Sequence, residues 1–303
     1  MKQGKKKDTS PKTRRALWMA LLIPGIAETP LSKMDEIYRE YVQDANTSES
    51  VVDLINKDIR RTRISPVHGL HRNYLDEKID GERAGDVVAR ILKVFAHTNQ
   101  SIGYVQGMNI ICSIIYYVVS HDDWVYSEAV AYFCFFHLMV EFGDYFTEKM
   151  DDAETGLRGE QKSVMQILWK VDKKLYTKIK KKDLFGKGAF HIRWMVLLFS
   201  AEFTLEDTFL LWERFFKEAP KRKLIPYFCA GMLIVLRDRI IEEEEMETIT
   251  SLEVARLNPH EVLSLAEKLL KKVPYTTLKT DPIDYLQMSQ KLKNSKLEAH
   301  AIE

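Results

Sequence analysis

The sequence predicts an all-α protein, and three observations carry the prediction. Apolar residues recur at steps of three and four along most of the chain, the spacing that lines one face of a helix. Long stretches of alternating apolar and polar residues, the mark of half-buried strands, do not occur. Two runs, Met108–Ser120 and Leu224–Ile240, are apolar nearly all round, a pattern that places a helix at the centre of a large helical domain. No repeat of fixed period emerges, which argues against a regular solenoid.

Each predicted element has a local reason. A first helix carries Leu17, Trp18, Leu21 and Leu22 and ends near Pro24-Gly25. A second, around Ser32–Gln43, spaces Met34, Ile37, Tyr38 and Tyr41 by three and four. Ser48 or Ser50 caps a third, roughly Val51 to Arg61, with Val52, Ile55, Ile59 and Thr62 on one stripe. The segment from Ile64 to Gly85 is irregular and hydrophilic, with Pro66, Gly69 and Gly81. Asp86 to His97 is amphipathic, and the buried run follows the turn at residues 98–103. From Tyr126, the residues Ala129, Tyr132, Phe133, Phe136 and Val140 form a further apolar face. Val164, Ile167, Leu168, Val171 and Leu175 read as one amphipathic helix, followed by a solvated lysine run, Lys178 to Lys182. Phe190, Trp194, Leu197, Leu198 and Ala201 continue helical spacing. Thr204-Leu-Glu-Asp207 is a capping-box pattern that opens a helix with Leu205, Phe209, Trp212 and Phe216. Glu261–Lys271 and Asp284–Lys293 read as closing helices.

Composition limits the function. With 46% hydrophobic residues in 303, the chain has enough apolar side chains for an extensive core. Lys+Arg is 45 against 44 for Asp+Glu, a balance that gives no support to a nucleic-acid binder. Cys112, Cys134 and Cys229 lie far apart in apolar runs, as reduced core thiols of the cytosol do. Neither they nor the eight histidines show metal-ligand spacing. The N-terminus lacks the apolar region of a secretory signal. The run Ile110–Val119 falls short of the roughly 18 to 20 residues that span a bilayer. A soluble chain with no metal and no transmembrane segment is therefore expected. A basic leader, residues 1–13 with Lys5, Lys6 and Lys7 in a row, reads as a mobile, solvated tail that could touch an anionic membrane only weakly.

The chemistry concentrates between Val51 and Met108. Asp58 and Arg61 are three apart near a helix end, so their side chains are neighbours. Taken alone they read as a surface ion pair, worth a few tenths of a kcal/mol. Gln106, in Tyr104-Val-Gln106-Gly107-Met108, precedes a helix N-terminus, where it either caps its own helix or faces an anion. An arginine and a glutamine presented side by side would suit a polyphosphate and an attacking water. No P-loop, Gly-x-Gly-x-x-Gly, Gly-x-Ser-x-Gly, His-Glu-x-x-His or kinase pattern is present. Any phosphoryl chemistry would then act on a nucleotide held by another protein.

These residues resemble the TBC domain of Rab GTPase-activating proteins. Ile55, Asp58, Arg61 and Thr62 match the pattern Ile-x-x-Asp-x-x-Arg-Thr, and Tyr104, Gln106, Gly107 and Met108 match Tyr-x-Gln-Gly-Met. Arg14 and Trp18 match an upstream Arg-x-x-x-Trp. Arg193-Trp194, Leu198-Phe199 and Leu211-Trp212-Glu213 resemble the downstream blocks. The resemblance implies a V-shaped, two-lobed helical domain, expected over residues 14–295 with a short tail, 296–303. It implies a GTP-bound Rab-type partner that brings its own GTP and Mg²⁺, and a cytoplasmic location, peripheral on endomembranes through that Rab. Arg61 would act as an arginine finger and Gln106 as the residue that orients the water, both supplied in trans. Asp58 would hold Arg61, Tyr104 would position the glutamine turn, and Gly107 would let the partner approach. Arg14, Trp18, Arg193 and Trp194 are candidate partner-interface residues. Arg60 competes for the finger, but the spacing from Ile55 and Asp58 selects Arg61.

The chain departs from the family after Thr62, where Arg63-Ile-Ser-Pro66 replaces the usual aromatic and proline, and at Glu213, where aspartate is common. Two other readings stand beside activation: a catalytically silent TBC-like scaffold, and an unrelated helical adaptor in which Arg61 and Gln106 lie far apart.

Overall fold

The computed structural model describes residues 11–65, 73–121, 124–147 and 156–278. The predicted helix at 284–293, most of the basic leader and the C-terminal tail lie outside them. Among the described residues the chain is helical, apart from two-residue strands Lys78–Ile79 and Glu82–Arg83 that pair antiparallel. The first half comprises α1 (Pro11–Leu22), α2 (Leu31–Asp44), α3 (Glu49–Arg61), α4 (Ala84–Thr98), α5 (Met108–Ser120) and α6 (Ser127–Phe142). The second comprises α7 (Leu157–Val171), α8 (Lys173–Lys181), α9 (Leu184–Lys187), α10 (Phe190–Val196), α11 (Leu205–Phe216), α12 (Ile225–Val235), α13 (Arg237–Glu242), α14 (Glu245–Val254) and α15 (Pro259–Lys272). The all-α prediction holds.

Two apolar helices act as hubs. Every residue of α5 except Ile110 is buried, and α1, α3, α4 and α6 pack around it. α12 is surrounded by α7, α10 and α15. Both were expected as buried helices, because a helix apolar on every side is stable only when neighbours cover all of them. Trp18 and Glu213 link the halves. Trp18 is fully buried against Trp212, Phe209 and Phe216 of α11, while Glu213 accepts from Arg14.

The periodicity prediction errs where a helix stops. The apolar pattern runs through Asp172, but α7 ends at Val171 and Asp172 caps α8, its side chain accepting from the Leu175 N–H at 2.9 Å. α10 ends at Val196 rather than continuing to Ala201. The predicted helix 224–240 divides at Leu236 into α12 and α13, and α14 was not foreseen. The lysine run is not wholly solvated either. Lys182 donates to the Ile240 carbonyl at 2.6 Å and to Thr248 Oγ1 at 2.9 Å, so it stitches α13 to α14. Partial desolvation lowers its pKa.

His191 of α10 is 1% exposed, and burial depresses its pKa from 6.5 to about 4. Its ring packs between Phe185 and Phe190 and bonds Gln161. The folded state therefore holds the imidazole neutral, while the unfolded chain protonates near 6.5. Stability from this group is complete above pH 6.5 and is lost as pH falls towards 4, in total on the order of 2–3 kcal/mol. His191→Phe is expected to flatten stability between pH 6.5 and 4 relative to wild type in urea titrations; parallel pH profiles for the two proteins would refute this.

Candidate functional site

Two elements bring the predicted residues together. α3 is strongly amphipathic and buries Ile55, Asp58 and Ile59. Its last residue, Arg61, is exposed. Beyond it Thr62 is extended (ψ 137°), and Arg63 folds back to donate to the Arg60 carbonyl at 2.8 Å, capping the helix C-terminus. Asn73 pins the outgoing chain, with Oδ1 accepting from the Ile64 N–H at 2.9 Å and Nδ2 donating to the Thr62 carbonyl at 3.2 Å. The second element is the turn before α5. Gln106 is exposed there, and Gly107 starts the helix with φ 105°, a conformation suited to glycine. Gln106 does not cap α5, whose N-terminus has no side-chain cap.

An open cleft of about 820 Å³ joins these elements to a third. Asp58, Arg61, Thr62, Gln106 and Asn109 line one side, and Ser200, Ala201, Phe203 and Thr204 the other. Arg60 is exposed but not part of this lining. Neither Arg61 nor Gln106 makes a hydrogen bond or ion pair among the described residues, so both are free to meet a ligand. The unrelated-adaptor reading required the two to be far apart; instead they share one cleft.

The opposite wall depends on a sharp turn. Just beyond α10 come two consecutive left-handed residues, Leu198 (φ 46°) and Phe199 (φ 64°), conformations that side-chain-bearing residues rarely adopt. Three bonds hold them: the Phe199 N–H to the Trp194 carbonyl at 2.7 Å, the Leu198 N–H to the Met195 carbonyl at 3.1 Å, and Trp212 Nε1 to the Leu198 carbonyl at 2.8 Å. The turn delivers Ser200–Phe203 to the cleft. Thr204 then caps α11, its Oγ1 accepting from the Asp207 N–H, as the capping-box pattern predicted.

Several roles implied by the family resemblance need correction. Asp58 does not hold Arg61. It is 6% exposed, its Oδ2 accepts from the Tyr104 hydroxyl at 2.7 Å, and it forms no ion pair with Arg61 among the described residues. Burial, and then the bond to the Asp58 carboxylate, push the Tyr104 pKa far up, so the phenol remains a neutral donor. Gly107 has an intramolecular reason to lack a side chain. A Cβ there would lie 3.0 Å from Leu197 and 3.3 Å from Val196 of this same chain, which is tighter than ordinary packing. Trp18 and Trp194 are fully buried and cannot touch a partner. Arg14 lies over the Phe209 ring at 4.6 Å and bonds Glu213. Arg193 pairs with Glu202 at 2.7 Å and with the Glu253 carbonyl at 2.8 Å. The two tryptophans serve the core, while both arginines make intramolecular ion pairs and Arg193 keeps part of its side chain exposed.

Asn109 was missed. It is 5% exposed and bonds Gly107, Tyr104 and Thr62. A signal was available: it is the one amide in the apolar run Met108–Val119, and a buried amide must find partners.

Fold and cleft together define an all-helical domain that presents an arginine and a glutamine from separate segments. The family model of the Rab-GTPase-TBC domain matches residues 11–241, and the chain belongs to that family. TBC1 domain family member 13 from Mus musculus is 35% identical over 161 residues, which is 52% of this chain and 40% of that protein. The chain thus spans less than half the length of that relative. Among solved structures, the Ypt/Rab-GAP domain of Gyp1p superposes with a TM-score of 0.70 at 19% identity, covering 86% of this chain and 88% of the other. The Chlamydomonas flagellar RabGAP TBC domain gives 0.61 at 19% identity, over 87% and 81%. These two similarities establish the shared fold. No described helix is long and apolar enough to cross a membrane.

Proposed function

We propose that this chain is a GTPase-activating protein for a Rab-type small GTPase in its GTP-bound state. One observation supports the reading above the others. Arg61 and Gln106, 45 positions apart in sequence, line the same open cleft, and neither side chain bonds another described residue. Arg61 would stabilise charge on the transferring γ-phosphoryl group, and Gln106 would orient the attacking water, a task that otherwise falls to the GTPase's own glutamine. GTP and Mg²⁺ would arrive with the partner, and the chain would hydrolyse no nucleotide by itself. Membrane contact would come through the Rab, placing the protein on the cytoplasmic face of endomembranes in vesicle traffic. That neither side chain is engaged by another described residue favours activity over a silent scaffold, which has no use for two unpaired polar groups in one cleft.

The test is single-turnover GTP hydrolysis by a panel of purified Rab GTPases with and without this protein. Acceleration of one or a few is expected. A folded protein that binds a Rab but accelerates none would leave the scaffold reading in its place. Gln106→Ala is expected to slow the stimulated rate on the order of 10²-fold without changing Tm, since the side chain is exposed. A wild-type rate would mean that the partner's own glutamine positions the water.

A further inference from the structure

Asn109 joins the two segments that carry Arg61 and Gln106. Its Nδ2 donates to Thr62 Oγ1 at 2.7 Å, and Thr62 directly follows Arg61. Its Oδ1 accepts from the Gly107 N–H at 2.9 Å, and that N–H belongs to the peptide bond between Gln106 and Gly107. One buried amide thus touches the residue next to each finger.

The network admits a single arrangement of hydrogens. The Gly107 N–H can only donate, so the amide oxygen must face it. The amide nitrogen then faces Thr62 Oγ1, which has spent its own hydrogen on the Asp58 carbonyl at 2.7 Å and is left as an acceptor. Tyr104 adds a parallel strut, its single hydrogen shared between Asp58 Oδ2 at 2.7 Å and Asn109 Oδ1 at 3.2 Å. The Gly107, Thr62 and Tyr104 donors each have an acceptor and Asn109 Nδ2 places one of its two hydrogens on Thr62, which restrains such a buried network.

We propose that Asn109 is a positioning residue that sets the separation of Arg61 and Gln106, holding both where a nucleotide's γ-phosphate and its attacking water would meet them. The proposal rests on the reading of this cleft as a GTPase-activating site. Neither finger has an anchor of its own among the described residues, so their relative position is inherited from the backbone beside them. A displacement of about 1 Å in such a pair costs roughly 10²-fold in rate.

The experiment measures stimulated GTP hydrolysis at varied concentrations of the accelerated Rab for Asn109→Ala and Thr62→Val, which cut the same bond from opposite ends. Each is expected to lower kcat roughly 10²-fold with KM for the Rab little changed, because both side chains are buried beneath the cleft surface, 5% exposed. The double variant should be no slower than either single one. Thr62→Ser, which restores the hydroxyl, should recover the kcat that Thr62→Val loses. Should Asn109→Ala fail to fold, the two Thr62 variants and their kcat decide the matter. A loss confined to KM, additive losses in the double variant, or a folded Asn109→Ala with wild-type kcat each overturn the proposal. Failure of the underlying reading looks different, because the wild-type chain would then stimulate no Rab.

Discussion

Arg61→Ala is expected to abolish stimulated hydrolysis, lowering the rate by roughly 10³- to 10⁵-fold, about 4 to 7 kcal/mol of transition-state stabilisation. The size follows from the environment. The guanidinium would enter a site closed by the docked partner, where water no longer screens it from the developing phosphoryl charge. Because Arg61 is exposed and engages no other described residue, its removal should leave Tm within the small range typical of surface substitutions, about ±0.5 kcal/mol in stability. Arg61→Lys should remain strongly impaired, since a lysine keeps the charge but loses the planar fork that grips two oxygens. Arg60→Ala is the control. Arg60 leaves the same helix on a different side, outside the cleft lining, and should retain wild-type stimulation. Equal losses at the two positions would mean general electrostatic attraction of the partner rather than a finger.

The second large effect is on stability. Trp212→Ala is expected to cost roughly 3 to 5 kcal/mol, with a fall in Tm on the order of 10 °C. Trp212 is fully buried, and its ring meets Trp18 at 5.7 Å and Phe216 at 5.9 Å. Truncation would empty the contact that joins α1 to α11. It would also strip the Leu198 carbonyl of its indole donor, and with it a restraint on the left-handed Leu198–Phe199 turn. That turn carries the cleft wall opposite Arg61, so the damage should reach the site. Trp212→Phe separates the two effects. It keeps most of the packing and leaves one carbonyl unpaired, a penalty of about 1–3 kcal/mol. Calorimetry of both variants checks the order; a Trp212→Phe as unstable as Trp212→Ala would mean that the hydrogen bond outweighs the packing.

The helices were legible in the residues because helix formation is signalled locally. Repeats of three and four along α2, α3 and α4, the Thr204–Asp207 cap, and two runs apolar on all sides needed no knowledge of neighbours. The segments that carry Arg61 and Gln106 were legible for the same reason, as short patterns at a helix end and a helix start. Helix ends were harder. Asp172 ends one helix and starts another by accepting from a backbone N–H, although the apolar pattern continues past it. At Leu198 a left-handed turn survives because Trp212, fourteen residues on, supplies the indole bond.

The roles of individual side chains divide along the same line. By itself the sequence determined the all-α class, the two buried hubs and the segments that carry Arg61 and Gln106, since all of these rest on contacts within a few turns of chain. Only the tertiary structure decided that Arg61 and Gln106 share a cleft. It also decided that Asp58 serves Tyr104, that Gly107 makes way for Leu197, that Trp18 is core, and that Asn109 ties the two segments together. Those outcomes depend on distances between residues far apart in the chain. A buried polar group takes whichever partner packing brings within about 3 Å, and no local pattern encodes which one that is.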